Sequence, residues 1–364
     1  MSMTSSSSPP ARLPWEGQAY SVKRYGTTID NCDSEPVQTP GCIQSHGALL
    51  VLRLADLTVL QVSENVERWL GLSPRQLLGQ PVAAAVGEAH QARLQEVLRN
   101  EPTEDNPIHV LTLEARGELA PLDLLLHTTG GVAVVELEAI GFREAKPEPD
   151  YYAIVKKSVA GLRAARTLLD FCRAVSHEVR AITGLDRVMV YRFHEDGHGE
   201  VFAESRRGDL APWLGFHYPA EDIPKPAREI FKQLWIRPVP DVGAPLEELC
   251  PLTNPDTGKP LTMTHCALRG PSVMYTEYLQ NMGVRAALTM PIRRDGELWG
   301  LIACHHYAGT AYLPYRVRVA CEFFAQVVSL QHKAVEDREH LLYRLQLDGG
   351  VRLPSLSRHQ AAAA

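Results

Sequence analysis

The chain has 364 residues, 45% hydrophobic and 22% charged, a size and balance that suit two ordinary folded domains. No apolar run reaches membrane-span length and no basic-then-apolar leader opens the chain, which argues against membrane insertion or export and for the cytoplasm. Seven scattered cysteines, an odd number, argue against a secreted disulfide framework, and a formal net charge of −6 offers no general attraction to nucleic acid or anionic lipid.

Residues 1–27, opening on "MSMTSSSSPPA", read as a low-complexity, disordered tail, and "SLSRHQAAAA" within 347–364 as a linker or an artificial tail. Next comes "TIDNCDSEPVQTPGCIQSHG" (28–47), a polar, proline-broken stretch with two cysteines. Cys42, beside Ile43, is expected to pack as a small hydrophobe. Cys32 has no apolar partners in its flanks, so metal ligand, disulfide half, nucleophile, tether and bystander all stay open on the residues alone. A disulfide between the two is disfavoured by compartment, and neither belongs to a C-x-x-C pair.

From about 46 to 140 the pattern is mixed α/β. "GALLVLRL" and "LTVLQV" are apolar runs of strand length around a turn at Ala55 and Asp56. Ser73, Pro74 and Gln76 form a capping-box pattern for a short helix. "IHVLTLEA", "LDLLLHT" and "VAVVELEA" are three successive strand candidates, and the whole resembles an α+β sensor domain of the PAS type. "FREAKPEPD" (142–150) reads as a linker. Residues 151–181 carry a helical period, followed by the strands "RVMVYRF" and "GEVFAES" around the turn "HEDGHG". "RAALTMPIRRDGELWGLIACHH" predicts a hairpin about its Asp-Gly turn. A final helix over about 314–346 carries Val317, Cys321, Phe324, Val328, Val335 and Leu342 near a heptad spacing, suited to packing or parallel dimerisation. Residues 237–262 fit neither scheme: six prolines and no sustained period predict a long structureless excursion, of the kind that tends to be functional.

Three signals for chemistry are weak. "SHEVR" (176–180) has the look of a kinase phospho-acceptor box, but no ATP-binding boxes follow, and His177 reads as a surface histidine. Cys304, His305 and His306 are consecutive in a strand, so they cannot jointly face one metal. His305 reads as core-facing and needing a hydrogen-bond partner, and His306 as solvent-facing. Pairing of a cysteine with a histidine is inevitable among seven and fourteen of them. The run "WLGFHYPAEDIPKPAR" (213–228) is stronger, since aromatics close to an acid describe a ligand wall with one polar anchor.

Together "NCDSEPVQTPGCIQSHGALL", "DRVMVYRF", "FHYPAEDIP", "YLQNMGV" and "LWGLIACHH" resemble the bacterial phytochromes in order and spacing, over about residues 28–340. The resemblance implies an α+β fold with a PAS domain (28–145) and a GAF domain (146–346) ending in a long exit helix. It also implies a figure-of-eight knot in which the N-terminal segment threads a GAF loop, 237–262, with Ile43 as its plug. The implied ligand is biliverdin IXα, a linear tetrapyrrole, tethered by a thioether from Cys32. By the same resemblance Asp222, Ile223 and Pro224 form the Asp-Ile-Pro motif, and the Asp222 carbonyl accepts from pyrrole N–H groups. Arg237 and Arg269 grip one propionate, Thr289 donates to the other, and His305 bonds the ring D carbonyl. Tyr191, Tyr218 and Tyr278 surround ring D. Tyr275 replaces the family's usual histidine over the pyrrole nitrogens, with a reference pKa roughly three units higher.

The implied function is a red/far-red photoreceptor in which light isomerises the bond between rings C and D. It is no enzyme beyond its self-attachment to pigment. A homodimer through the GAF helices is expected, as is a response regulator reached only through a PHY and output module, often a histidine kinase, outside this chain. The alternative class is an allosteric small-molecule sensor, since PAS and GAF folds elsewhere bind nucleotides, haem or nothing.

Overall fold

A computed structural model describes residues 19–25, 27–28, 31–114, 119–140 and 150–349. The linker at 142–149, residues 1–18 and residues 350–364 lie outside them. The first lobe holds β1 (Cys42–Gln44), β2 (Gly47–Arg53), β3 (Val59–Ser63), α1 (Val66–Leu70), α2 (Pro74–Leu77), α3 (Ala83–Val86), α4 (Glu88–Asn100), β4 (Ile108–Leu113), β5 (Leu122–Thr129) and β6 (Val132–Ala139). The second holds α5 (Tyr151–Leu162), α6 (Leu168–Thr183), β7 (Arg187–Phe193), β8 (Gly199–Arg206), β9 (His217–Tyr218), α7 (Lys225–Phe231), β10 (Arg237–Val239), β11 (Leu246–Cys250), α8 (Val273–Asn281), β12 (Ala286–Arg294), β13 (Glu297–His306) and α9 (Tyr315–Gly349).

Local chemistry sets many of these boundaries. The Gln76 side chain accepts from the Ser73 N–H at 2.9 Å at the start of α2. Asp295 and Gly296 take φ of 52° and 84°, the paired positive values of a tight hairpin turn, and join β12 to β13. The helix expected over 151–181 is instead two, α5 and α6. Thr167 starts the second by accepting from the Asp170 N–H at 3.1 Å, and a cap residue is extended rather than helical.

The first sheet runs β1-β11-β3-β2-β6-β5-β4, so a strand from the second lobe's sequence is built into it. Part of the expected structureless excursion therefore forms β10 and β11, because the polar, proline-flanked "LEELC" finds backbone partners far away in sequence. Both faces of the sheet are covered. Ala48, Leu50 and Leu52 point into one core with Val135 and Leu137. Leu49, Val51, Val132 and Val134 point into another, where Leu249 and Leu261 of the excursion, and Met263 and Leu268 just after it, cover them beside Ile43. Alternate residues with apolar partners on both sides explain why "GALLVLR" is a continuous apolar run.

β1 is held between two limbs of one loop. Ile43 pairs with Glu247 on one side and bridges Arg269 on the other. Gln44 N–H donates to Leu268 O at 2.7 Å, and Gly270 N–H to Cys42 O at 2.8 Å. A Cβ at Gly270 would lie 2.9 Å from Cys42 O, so this close passage requires glycine. The Gln44 amide reaches the carbonyls of Pro238, Ala267 and Arg269 at 3.1–3.3 Å, tying the loop's beginning to its end around the threaded segment. This is the figure-of-eight crossing, with Ile43 fully buried at its centre. Upstream of it, Tyr20, Ser21 and Val22 are buried near Cys42, so the expected tail of 1–27 gives way to packed chain by residue 20.

The second sheet runs β10-β12-β13-β7-β8-β9. α6 and α9 cover one face, and there Val317, Cys321, Phe324, Val328 and Val335 of the heptad stripe are buried in this chain's own core. Leu342 lies beyond that core and is exposed. The other face, the one away from these helices, carries Tyr191, Arg237, Thr289 and His305.

Candidate functional site

Arg237 opens β10 directly opposite Thr289 on β12. Its Nη2 donates to Arg269 O at 2.7 Å, while Arg269 Nη1 donates to Val37 O at 3.1 Å. Both arginines are buried, and Arg237 Nη1 and Arg269 Nε are buried without a hydrogen-bond partner. Neither forms an ion pair within 4 Å among the described residues. Burial pulls the Arg237 guanidinium down to about 10; burial and then the charge of Arg237 pull Arg269 well below its ordinary value. Two adjacent buried cations with unfilled donors are costly unless an anion completes them, and a planar fork of N–H groups suits a carboxylate. The Tyr275 hydroxyl engages Thr289 beside them, and burial raises its pKa.

Across the sheet, β13 places His305 opposite Arg187 of β7 and Ala287 of β12. His305 is buried, its Nδ1 has no partner, and burial then the nearby Arg187 pull its pKa down to about 3, so the ring is neutral. Trp213 meets it edge-on at 5.9 Å between ring centroids. Arg187 is paired with Glu204 and lies 4.0 Å over the Trp213 ring, which anchors the 213–218 segment to the sheet.

The structure brings Tyr191 and Tyr218 together and sets Tyr278 against Asp222. Tyr191 lies 6.1 Å from Tyr218 and 5.4 Å from Phe193 in a cluster that also takes in Ile223 and, from the N-terminal segment, Val37. Tyr278 donates from its hydroxyl to Asp222 Oδ2 at 3.0 Å, and burial followed by Asp222 raises its pKa. Asp222 ends the turn Ala220–Asp222, and Pro224 precedes α7 as its N-cap.

Two residues not singled out in the sequence hold this arrangement. Arg228 donates to the carbonyls of Ile223, Ala220 and Gly197 at 2.6–2.8 Å, pinning the Asp222 turn from beneath. Gly199 leaves room for Tyr191: a Cβ there would lie 1.9–2.0 Å from its ring and hydroxyl. Glycine straight after a turn was the available signal for the second; a lone arginine in a helix gives none.

Cys32 begins a single turn, Cys32–Ser34, that packs against α7 of the second lobe. It is half-buried and forms no disulfide, and burial then Asp33 push its thiol up. Cys42 is fully buried with its sulfur 3.2 Å from Ser21 Oγ, as a small packed thiol. His177 is exposed on α6. No helix among the described residues is long and apolar enough to cross a membrane.

Residues 32–140 match the PAS fold family and residues 167–331 the GAF domain family. The chromophore-binding domain of a bacteriophytochrome from R. palustris superposes with a TM-score of 0.77 at 35% identity, over 85% of this chain and 99% of that one. This chain belongs to the bacterial phytochrome family. The photosensory core module of the Stigmatella aurantiaca phytochrome, at 37% identity and TM-score 0.77, is matched over 89% of this chain and 64% of that one. Cyanobacterial phytochrome B of Nostoc is 38% identical over 89% of this chain and 43% of its own length. The bacteriophytochrome of Pseudomonas aeruginosa is 38% identical over 83% and 40%. The phytochrome unit described here thus spans under half the length of these two relatives.

Proposed function

We propose that this chain is the photosensory input of a red/far-red light receptor and binds biliverdin IXα. The observation that carries the reading is the pair Arg237 and Arg269, two buried guanidiniums with no ion pair within 4 Å among the described residues, suited to a propionate of a linear tetrapyrrole. When bound, the bilin supplies red absorption and photoisomerisation between rings C and D.

The residues divide the remaining work. Arg237 and Arg269 hold one propionate and Thr289 the other. The Asp222 carbonyl accepts from the pyrrole N–H groups, while the Asp222 carboxylate is kept in place by the Tyr278 hydroxyl. Neutral His305, with its unfilled Nδ1, meets a carbonyl, and Tyr191, Tyr218 and Tyr278 bound the ring that turns. Cys32 forms the thioether: its thiolate sulfur bonds one carbon of the ring A vinyl group, and a proton goes to the other. A raised thiol pKa predicts attachment that speeds up with alkali. The signal leaves along α9, whose outward Val319, Phe323 and Leu330 are exposed and favour a parallel homodimer. A PHY and output module, often a histidine kinase acting on a response regulator, completes the receptor.

The test is to mix the protein with biliverdin and run it denatured beside Cys32→Ser and Cys42→Ser. Red absorbance in all three, with zinc-induced fluorescence on the gel lost only for Cys32→Ser, supports the reading. A colourless protein instead supports a small-molecule sensor, and pigment retained by denatured Cys32→Ser moves the tether elsewhere.

A further inference from the structure

The turn between β7 and β8 and the short strand β9 bring three histidines together outside the site above. His194 and His198 flank the turn, where His194 N–H donates to His198 O at 2.9 Å. His217 lies on β9 opposite Glu200. One ring nitrogen from each of the three lies within 4.8 Å of the other two. The closest pair, His198 Nε2 and His217 Nδ1, are 3.1 Å apart. That is near the edge of a tetrahedron, about 3.4 Å, around an ion with metal–nitrogen bonds of ~2.0–2.1 Å.

The outer groups match the ones that orient metal-bound imidazoles. His198 Nδ1 is bonded to the Asp196 carboxylate, which fixes the proton there and leaves the Nε2 lone pair facing His217. His194 Nε2 lies 3.0 Å from Glu200 Oε2, and its ring now stacks on His198 with centroids 4.2 Å apart and planes at 6°, so His194 must swing out of the stack to turn its other ring nitrogen toward a shared ion. A hydrogen bond shared by two histidines accounts for His198 and His217. A third ring, His194, is held beside this pair, with one carboxylate on His194 and another on His198. His194 and His198 are partly exposed and His217 is exposed, so an ion has direct access from water.

We propose that His194, His198 and His217 bind one divalent transition-metal ion of the zinc class, with water in the remaining position. Imidazole nitrogen suits such ions, and three protein ligands with an open position are a common zinc arrangement. The site ties the β7–β8 turn to β9, a strand of two residues at the sheet edge. Tyr218 follows His217 directly, and the Asp222 turn follows Tyr218, so occupancy fixes the segment that carries both. Unlike the consecutive Cys304, His305 and His306, this trio comes together only where the turn and β9 meet.

The site is testable without pigment. The full chain, its thiols blocked with N-ethylmaleimide, is titrated with zinc against a chromogenic chelator, beside His194→Gln, His198→Gln, His217→Gln and Asp196→Asn. One equivalent bound at micromolar zinc or below is expected. Affinity falls more than about 100-fold in each histidine variant and about 10–100-fold in Asp196→Asn, with unchanged circular dichroism. Cobalt gives a visible absorption band in the parent that His217→Gln lacks. Equal zinc uptake by parent and His217→Gln, full affinity in His194→Gln, or no stoichiometric binding overturns the proposal. None of these results bears on biliverdin binding.

Discussion

Arg237 Nη2 donates to the backbone carbonyl of Arg269 at 2.7 Å, so the main chain of one buried guanidinium residue is set by the side chain of the other. A charge-assisted hydrogen bond is worth about 1.5–3 kcal/mol. Arg269→Gln is therefore expected to weaken biliverdin binding roughly 10–100-fold. The dimethyl ester of biliverdin, which has no propionate charge, should bind parent and variant alike. Fluorescence-quenching titrations with both ligands make the comparison, and an equal loss for acid and ester would show that Arg269 acts through folding.

Gly199→Ala should displace Tyr191, because the added carbon falls 1.9–2.0 Å from its ring. Overpacking of this kind costs about 1–3 kcal/mol. The melting temperature should fall, and the Gly199→Ala/Tyr191→Ala double variant should cost less than the sum of the two singles, since removing the ring removes the clash. Additive losses in thermal melts would place the strain elsewhere.

Much of the fold was legible because its signals are local. The Ser73 and Gln76 cap, the Asp295 and Gly296 turn, and the apolar period of α9 each report on residues a few positions apart. The crossing is not local: Gln44 reaches Pro238 and Arg269 across 194 and 225 positions, and no period records such a pairing. β11 was hidden for that reason, and the break between α5 and α6 because a capping threonine inside a helical period looks like any other. The site residues came from motif order rather than from chemistry. Burial and the unfilled nitrogens of Arg237, Arg269 and His305 became visible only in three dimensions, as did the support from Arg228 and Gly199.

Glu136 on β6 grips the loop's end, accepting from Leu268 N–H at 2.7 Å and Ala267 N–H at 3.2 Å. Burial, then Glu138, push its carboxyl up to about 7 from an ordinary 4.5. Between those values the native state holds a proton that the unfolded chain has released, so stability falls as pH rises from about 4.5 through 7. The whole effect is on the order of 3 kcal/mol. Glu136→Gln keeps an acceptor without the charge. Its melting temperature should match the parent near pH 4.5 and exceed it at pH 8; parallel melting curves across that range would contradict this.

Tyr275 should leave pigment attachment intact and stall proton movement. Its hydroxyl engages Thr289, and its raised pKa keeps it protonated through neutral pH, where a histidine changes charge. Tyr275→His is expected to restore late photocycle intermediates and transient proton release. Time-resolved absorbance with a pH-indicator dye reads both, and identical kinetics and proton release in the two proteins would sink the idea.

The central claim is that this chain senses red light through a bilin held by Arg237, Arg269, His305 and Cys32. Its most direct test is the difference spectrum of the biliverdin-loaded protein before and after red illumination, followed in darkness. The account predicts a red band that falls on illumination, converts incompletely and recovers in the dark. A red band that light leaves unchanged, or a protein that takes up no pigment at all, would contradict it.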